Sequence, residues 1–245
     1  AAELAGRADA PELRPTWLVR AAIRAENEVV RAGTGGMDQT VALLAEEGSA
    51  LLIHTRDFRT EPVQLGLADA GLALLVIDTR VKHTLADGQY AQRRADCDEA
   101  ARQLGLEWLS DATEADMDRL TDERLRARTR HVVGENQRVD RVVDLVRAGR
   151  VAEIGPLLDA SHASLRDDYE VSAVELDVAS RPPARAGALG ARMVGGGFGG
   201  SAIALIHPGD AQAISDAVVV ACRAQGLTEP ATLTVTSGPA AHRLS

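Results

Sequence analysis

The chain has 245 residues, enough for one large domain or two small ones. Apolar residues make up 45% of it but aromatics only 2%, so Ala, Leu and Val must supply most of the burial. A net charge of −9 excludes nucleic acid and anionic membrane as general partners, while leaving room for a local cationic pocket. No apolar run approaches the length of a membrane span. Cys97 and Cys222 lack metal spacing and suit the reduced thiols of a cytoplasmic protein.

Residues 18–30 place Leu18, Ala22, Ala25 and Val29 at helical spacing, which predicts an amphipathic helix that also carries Glu26. Gly33, Thr34, Gly35 and Gly36 break it. Residues 37–46 resume the pattern, with Gly48 as the stop. Asp38 therefore falls in the first turn of a helix, just past a glycine loop, where negative charge and anionic ligands are favoured. Residues 50–54 and 62–65 read as short strands, and 72–77 as a buried strand. Residues 86–104 read as a helix stopped by Gly105, with Tyr90, Arg93 and Arg94 near its start. Ser110-Asp111 and Thr121-Asp122 read as caps, the second opening a long helix that ends at Gly149. A helix over 151–165 leads to a polar turn at 166–170. Residues 175–179 read as a helix that Pro182 and Pro183 cannot continue. Strands at 191–194 and 202–207, a helix over 210–224 and a strand over 231–236 close the chain.

From residue 72 onward the order is strand, helices, strand-turn-strand, helix, strand. That predicts an α+β fold, a ferredoxin-like α/β sandwich with helices inserted after the first strand. Residues 1–70 read as part of a different unit from residues 71–245.

Five of the six residues from Gly195 to Gly200 are glycine. Gly195, Gly197 and Gly200 satisfy G-x-G-x-x-G, but the segment that follows is too apolar and β-branched to open a helix. The dinucleotide fingerprint is therefore not met. With no Gly-Lys-Ser/Thr, the run is not a Walker loop either. A tight connection between strands and a backbone approached by a ligand both stay open.

Glu26 and Asp38 form the most suggestive acidic pair. One metal ligand and one base or positioning carboxylate is the division of labour of phosphoryl transfer. A surface Glu and a helix-start Asp are the plainer account. Tyr90 reads as a hydroxyl donor to a polar substrate, or as a half-buried residue on a solvated helix face. Arg128, Thr129, Arg130 and His131 with Glu135 and Arg138 read as a salt-bridged helix face. No G-x-S-x-G, H-E-x-x-H or C-x-x-C is present, which weakens serine hydrolase, zincin and dithiol readings.

Several segments together resemble the galactokinase family of the GHMP small-molecule kinases. Arg24-Ala25-Glu26-Asn27-Glu28, followed by Gly35-Gly36-Met37-Asp38-Gln39, resembles the family's AEH…CGIMDQ stretch. The segment from Val81-Lys82-His83-Thr84-Leu85 through Tyr90 and Arg93-Arg94 to Cys97 resembles VRHSL…Y..RR..C. Arg130-His131-Val132-Val133 with Glu135-Asn136 resembles ARHVV.EN. Residues 164–172 (SLRDDYEVS) match nearly letter for letter, and residues 190–200 (GARMVGGGFGG) resemble the third GHMP motif.

The resemblance implies a two-domain GHMP kinase fold, with residues 1–70 the remainder of the N-terminal domain and 71–245 the C-terminal domain. It implies phosphorylation of α-D-galactose at its C1 hydroxyl, with ATP and Mg²⁺. Carried over by position, Asp38 is the catalytic base or positioning carboxylate and Glu26 the Mg²⁺ ligand. Gly35 offers a backbone amide to the sugar, and Tyr90 its hydroxyl. Gly195, Gly196, Gly197 and Gly199 become a thin wall beside the phosphates. Thr34, Gly36, Ala173-Val174, Val194 and Pro182-Pro183 depart from the family pattern. The family's first motif, for the sugar, and its second, the phosphate loop, are absent from the chain. The resemblance therefore implies an incomplete kinase, inactive as this fragment. The alternatives are a non-catalytic galactose- and ATP-sensing regulator on the same scaffold, and a kinase for a related sugar.

Overall fold

The computed structural model describes residues 15–30, 35–81 and 86–241. They divide into two compact units: residues up to 66 with the segment from 237, and residues 67–236. The division falls before residue 70, and the end of the chain belongs to the first unit. The Ala240 and Ala241 amides donate to the carbonyls of Ala45 and Ala42 at 3.0 and 2.8 Å, which ties that segment to a helix end.

In the first unit, α1 (Pro15–Arg24) buries Val19. The helix expected to reach residue 30 is α-helical only to Arg24; Ala25–Val30 winds as a π-helical turn with no buried residue. Helix α2 (Met37–Leu44) ends at extended Ala45, short of the expected stop. Gly48, at φ 77°, instead turns the chain into the next strand. Strands β1 (Ser49–His54) and β2 (Arg59–Gln64) pair antiparallel from Ser49 opposite Gln64 to His54 opposite Arg59. The Phe58 amide closes the turn on the His54 carbonyl at 2.8 Å.

In the second unit, β3 (Ala73–Asp78), β4 (Gly190–Met193), β5 (Ser201–Ile206) and β6 (Ala231–Val235) form one antiparallel sheet in the order β4-β5-β3-β6. The near-continuous apolar run of β3 suits its central place, flanked by β5 and β6. The connections give the expected ferredoxin-like βαββαβ order, with helices inserted after β3. One face of the sheet is sealed by α6 (Val174–Arg185) and α7 (Ala211–Ala224). Leu75, Ile77, Ala204 and Ile206 of the sheet pack there with Val178, Ile214 and Val218. The inserted helices α3 (Ala86–Leu104) and α4 (Glu123–Arg147) build a second core around Ala100, Leu104, Leu120 and Leu125. Helix α5 (Gly155–Asp167) runs against β4, with Gly155 beside Gly190.

Two local expectations are corrected. Helix α6 runs through Pro182 and Pro183 to Arg185. Proline fixes φ at a helical value, and both prolines fall in the last turn, so little helix remains to be broken. Ser110-Asp111 does not cap the short helical segment; residues Leu109–Asp111 form a 3₁₀ turn of their own. Thr113 opens the next one, its amide and hydroxyl both donating to Asp116 Oδ2. Asp122 caps α4 as expected, accepting from the Arg124 and Leu125 amides. Finally, the helix face around Arg128 is salt-bridged as expected, through Arg128, Arg130 and Arg138, but Arg128, Thr129 and His131 lie on its inner side. All three are buried, because α4 turns this side to α3 and α5.

Candidate functional site

The sequence-selected residues fall in both units. Glu26, Gly35 and Asp38 belong to the first; Tyr90 and the glycine run belong to the second.

In the first unit, Gly36 at φ 86° sits before α2 as its N-cap and supplies no side-chain cap. The side chain of Ile23 and the ring of Phe58 crowd the space where a Cβ would stand. This turn needs glycine at Gly36, whereas Gly35 is exposed, with open space around it. Thr40 pins the turn, its amide and hydroxyl donating to the Gly36 carbonyl at 3.0 and 2.6 Å. The first amides of α2 are thus left to solvent or to a ligand. Asp38 stands exposed in that first turn, on the side of the helix dipole that stabilises its charge.

Glu26 lies half-exposed on the π-helical turn, a geometry often found at functional sites. It makes no ion pair among the described residues. No group of three or more His, Cys, Asp or Glu side chains converges as a metal site among them. Mg²⁺ is commonly held by one or two carboxylates, with phosphate oxygens and water completing the octahedron. A single available carboxylate such as Glu26 fits that donor set.

In the second unit, the glycine run connects β4 to β5, as a hairpin and not a strand-to-helix turn. Its members divide. Gly195 and Gly196 are exposed, and a Cβ on Gly195 would meet nothing within 4 Å. Gly197 and Gly199 are buried against neighbouring backbone. A Cβ on Gly197 would stand 2.1 Å from the Val171 carbonyl, and one on Gly199 2.9 Å from that of Val81. Tyr90 lies near the start of α3, but its side chain is outside the described residues, as are Thr34 and Lys82-His83-Thr84-Leu85.

Two polar networks hold the strand that leads into this loop, and the second contains the Glu135–Arg138 pair expected on the salt-bridged face. His162 donates to or accepts from Asp177 at 3.1 Å through Nε2, while its Nδ1 accepts from the Met193 amide at 3.3 Å. The second contact assigns the proton to Nε2. Burial lowers the pKa of His162, against the opposing pull of Asp177. Glu135 joins Ser161, Arg138 and Arg192. Burial pushes its carboxyl up, but the Ser161 hydroxyl and the two guanidiniums outweigh that and hold it below the ordinary range. The matching residues SLRDDYEVS thus serve largely as scaffold. Ser164 bridges His131 and Asp168, and Ser172 donates to Asp177.

Comparison with known proteins gives this geometry a context. Residues 142–222 match the family model described as GHMP kinases C terminal. The chain is 45% identical over 237 residues to a galactokinase of Streptomyces coelicolor, covering 95% of this chain and 61% of that protein. It is 43% identical over 189 residues to a galactokinase of Bos taurus, covering 75% of this chain and 47% of that one. Among solved structures, Lactococcus lactis galactokinase complexed with galactose superposes with a TM-score of 0.87 at 31% identity, over 94% of this chain and 61% of that one. L. major mevalonate kinase shares the fold, with a TM-score of 0.60 at 20% identity over 93% of this chain and 60% of its own. The chain thus spans about three fifths of the Streptomyces coelicolor relative, at 61%.

Proposed function

We propose, from the premise that this chain belongs to the GHMP kinases on the galactokinase branch, that the complete protein phosphorylates α-D-galactose with ATP. The products are galactose 1-phosphate and ADP. The observation that carries the reading is similarity to galactokinases along almost the whole chain, with Asp38 exposed at an uncapped helix start.

In this reading the C1 hydroxyl of the sugar lies against Asp38. Its oxygen bonds to the γ-phosphorus as the bond to the β-γ bridging oxygen breaks, and Asp38 orients the hydroxyl or takes its proton. Gly35 and the first amides of α2 hold sugar oxygens, and a sugar-directed hydroxyl is carried over to Tyr90 by resemblance alone. Glu26 holds Mg²⁺, which when bound neutralises charge on the phosphates. Gly195 and Gly196 present bare backbone on the phosphate side, while Gly197 and Gly199 set the loop's shape from behind. Two unpaired cysteines agree with a reducing, cytoplasmic setting.

Calorimetry with galactose, followed by a coupled ADP assay on the complete protein, tests the reading. The expected result is galactose binding together with ADP release that requires galactose. Binding of galactose without ADP release would replace the kinase with a sensor, and ADP release driven by another sugar but not by galactose would reassign the substrate.

A further inference from the structure

Four non-glycine residues among those described have positive φ: Phe58, Arg80, Glu170 and Phe198. Phe58 closes the β-hairpin of the first unit. The other three belong to the glycine loop or to the two segments that grip it. Such conformations persist only where the surroundings over-determine them, and they gather where backbone shape serves function.

The grip has two jaws. Arg80, at φ 58°, leads into Val81, whose carbonyl accepts the Gly200 amide at 3.2 Å. The Thr79 amide and hydroxyl return to the Gly200 carbonyl at 3.0 and 2.6 Å. On the other side, Glu170, at φ 55°, leads into Val171, whose carbonyl accepts the amide of Phe198, itself at φ 61°. That bond is 2.7 Å long.

One side chain reaches the second jaw and the loop together. The Arg93 guanidinium donates from Nε to the Tyr169 carbonyl at 2.8 Å and from Nη2 to the Glu170 carbonyl at 2.9 Å. Its Cζ lies 6.0 Å from the centre of the Phe198 ring. It is 15% exposed, and its bond to the Tyr169 carbonyl is partly buried. Two carbonyls bound by one planar fork fix the peptide planes on both sides of residue 170. They thereby aim the Val171 carbonyl at the Phe198 amide.

We propose that Arg93 is a positioning residue for the glycine loop. It acts by holding the 169–171 turn so that residues 195–200 keep a single shape. The kinetic consequence rests on the reading of that loop as a phosphate-side wall; the mechanical one does not.

Hydrogen exchange on this chain separates the two. In Arg93→Ala, exchange at the Phe198 and Gly200 amides is expected to rise by about tenfold, as for one lost hydrogen bond. The Ile203 amide in β5 should stay as in the parent. Arg93→Lys, with a point donor in place of the fork, should fall between the two. Unchanged exchange at Phe198, or an equal rise at Ile203, would overturn the proposal, the second by showing a general loss of stability. In the complete protein, Arg93→Ala should raise KM for ATP by about tenfold while KM for galactose holds. Loosened amides with an unchanged KM for ATP would overturn the phosphate-side role and keep the lock. Loosened amides in a protein with no galactose-dependent turnover would overturn the kinase reading alone.

Discussion

Arg128 and Asp96 face each other across the α3–α4 interface at 3.3 Å, each side chain only 2% exposed. Asp96 also takes Arg124 at 2.6 Å. Arg128 continues to Glu170 at 2.6 Å and donates to the Asp168 carbonyl. A buried charge that loses its partner keeps its desolvation cost. Arg128→Met removes one of the two guanidiniums on Asp96, which keeps Arg124 and Gln92, and should destabilise the protein by about 1.5–3 kcal/mol in chemical denaturation. Arg128→Met combined with Asp96→Leu should cost less than the sum of the two single changes, since the charges then left, Arg124 and Glu170, are about half exposed.

Gly155 and Gly190 cross where α5 meets β4. A Cβ on Gly190 would stand 2.0 Å from the Gly155 carbonyl oxygen, and one on Gly155 would meet the Leu189 carbonyl at 2.1 Å. The obstacle is backbone on both sides, so it cannot swing aside. Gly190→Ala should lower stability by about 1–3 kcal/mol or more as an overpacked contact, and thermal melts should show it. Gly195→Ala, with open space but φ 78°, should cost less, through backbone strain alone.

The ferredoxin-like order, the strand-glycine-strand hairpin and the α3 limits at 86 and 104 were legible, because apolar runs and glycine stops mark them directly. The division of labour inside the glycine run was not. Composition makes Gly195 and Gly197 look alike, and only the Val171 carbonyl distinguishes them. The buried Arg128 network was missed for a similar reason. Its partners lie 32 and 42 residues away, on α3 and in the 168–170 turn, so the salt-bridged face was legible on α4 but its distant partners and its burial were not. The helix through Pro182 and Pro183 was not legible, because a proline pair lacks two helical amides and reads as a stop. The proposed site residues rest on resemblance more than on spacing.

His131 gives the protein an acid limit. It is buried, stacked on Tyr169 with centroids 4.4 Å apart, and joined through Nδ1 to Ser164. Burial lowers its pKa from the ordinary 6.5 to about 4. The folded state thus binds fewer protons than the unfolded chain, and stability must fall as pH drops from 6.5 towards 4. The loss at the lower end is of order 3 kcal/mol. His131→Asn, which can keep the Ser164 contact without titrating, should flatten the fall measured by denaturation at several pH values. His162 shifts the same way and would account for a remaining slope.

Glu26→Gln keeps the side chain's size and removes its charge. If Glu26 holds Mg²⁺, the Mg²⁺ concentration for half-maximal rate should rise by about tenfold, as for one lost charge-assisted contact. KM for galactose should not move. Metal titration at fixed ATP reads both, and an unshifted Mg²⁺ curve would remove Glu26 from the site.

Asp38 carries the central claim. It is exposed at the start of α2, so Asp38→Asn should lower stability only by the lost charge–dipole interaction, about 0.3–1 kcal/mol. In the complete protein, galactose-dependent ADP release should fall by about 10²–10⁴-fold, the usual contribution of a positioned base. Galactose should still bind in calorimetry. Turnover by Asp38→Asn at the parent rate would contradict the account.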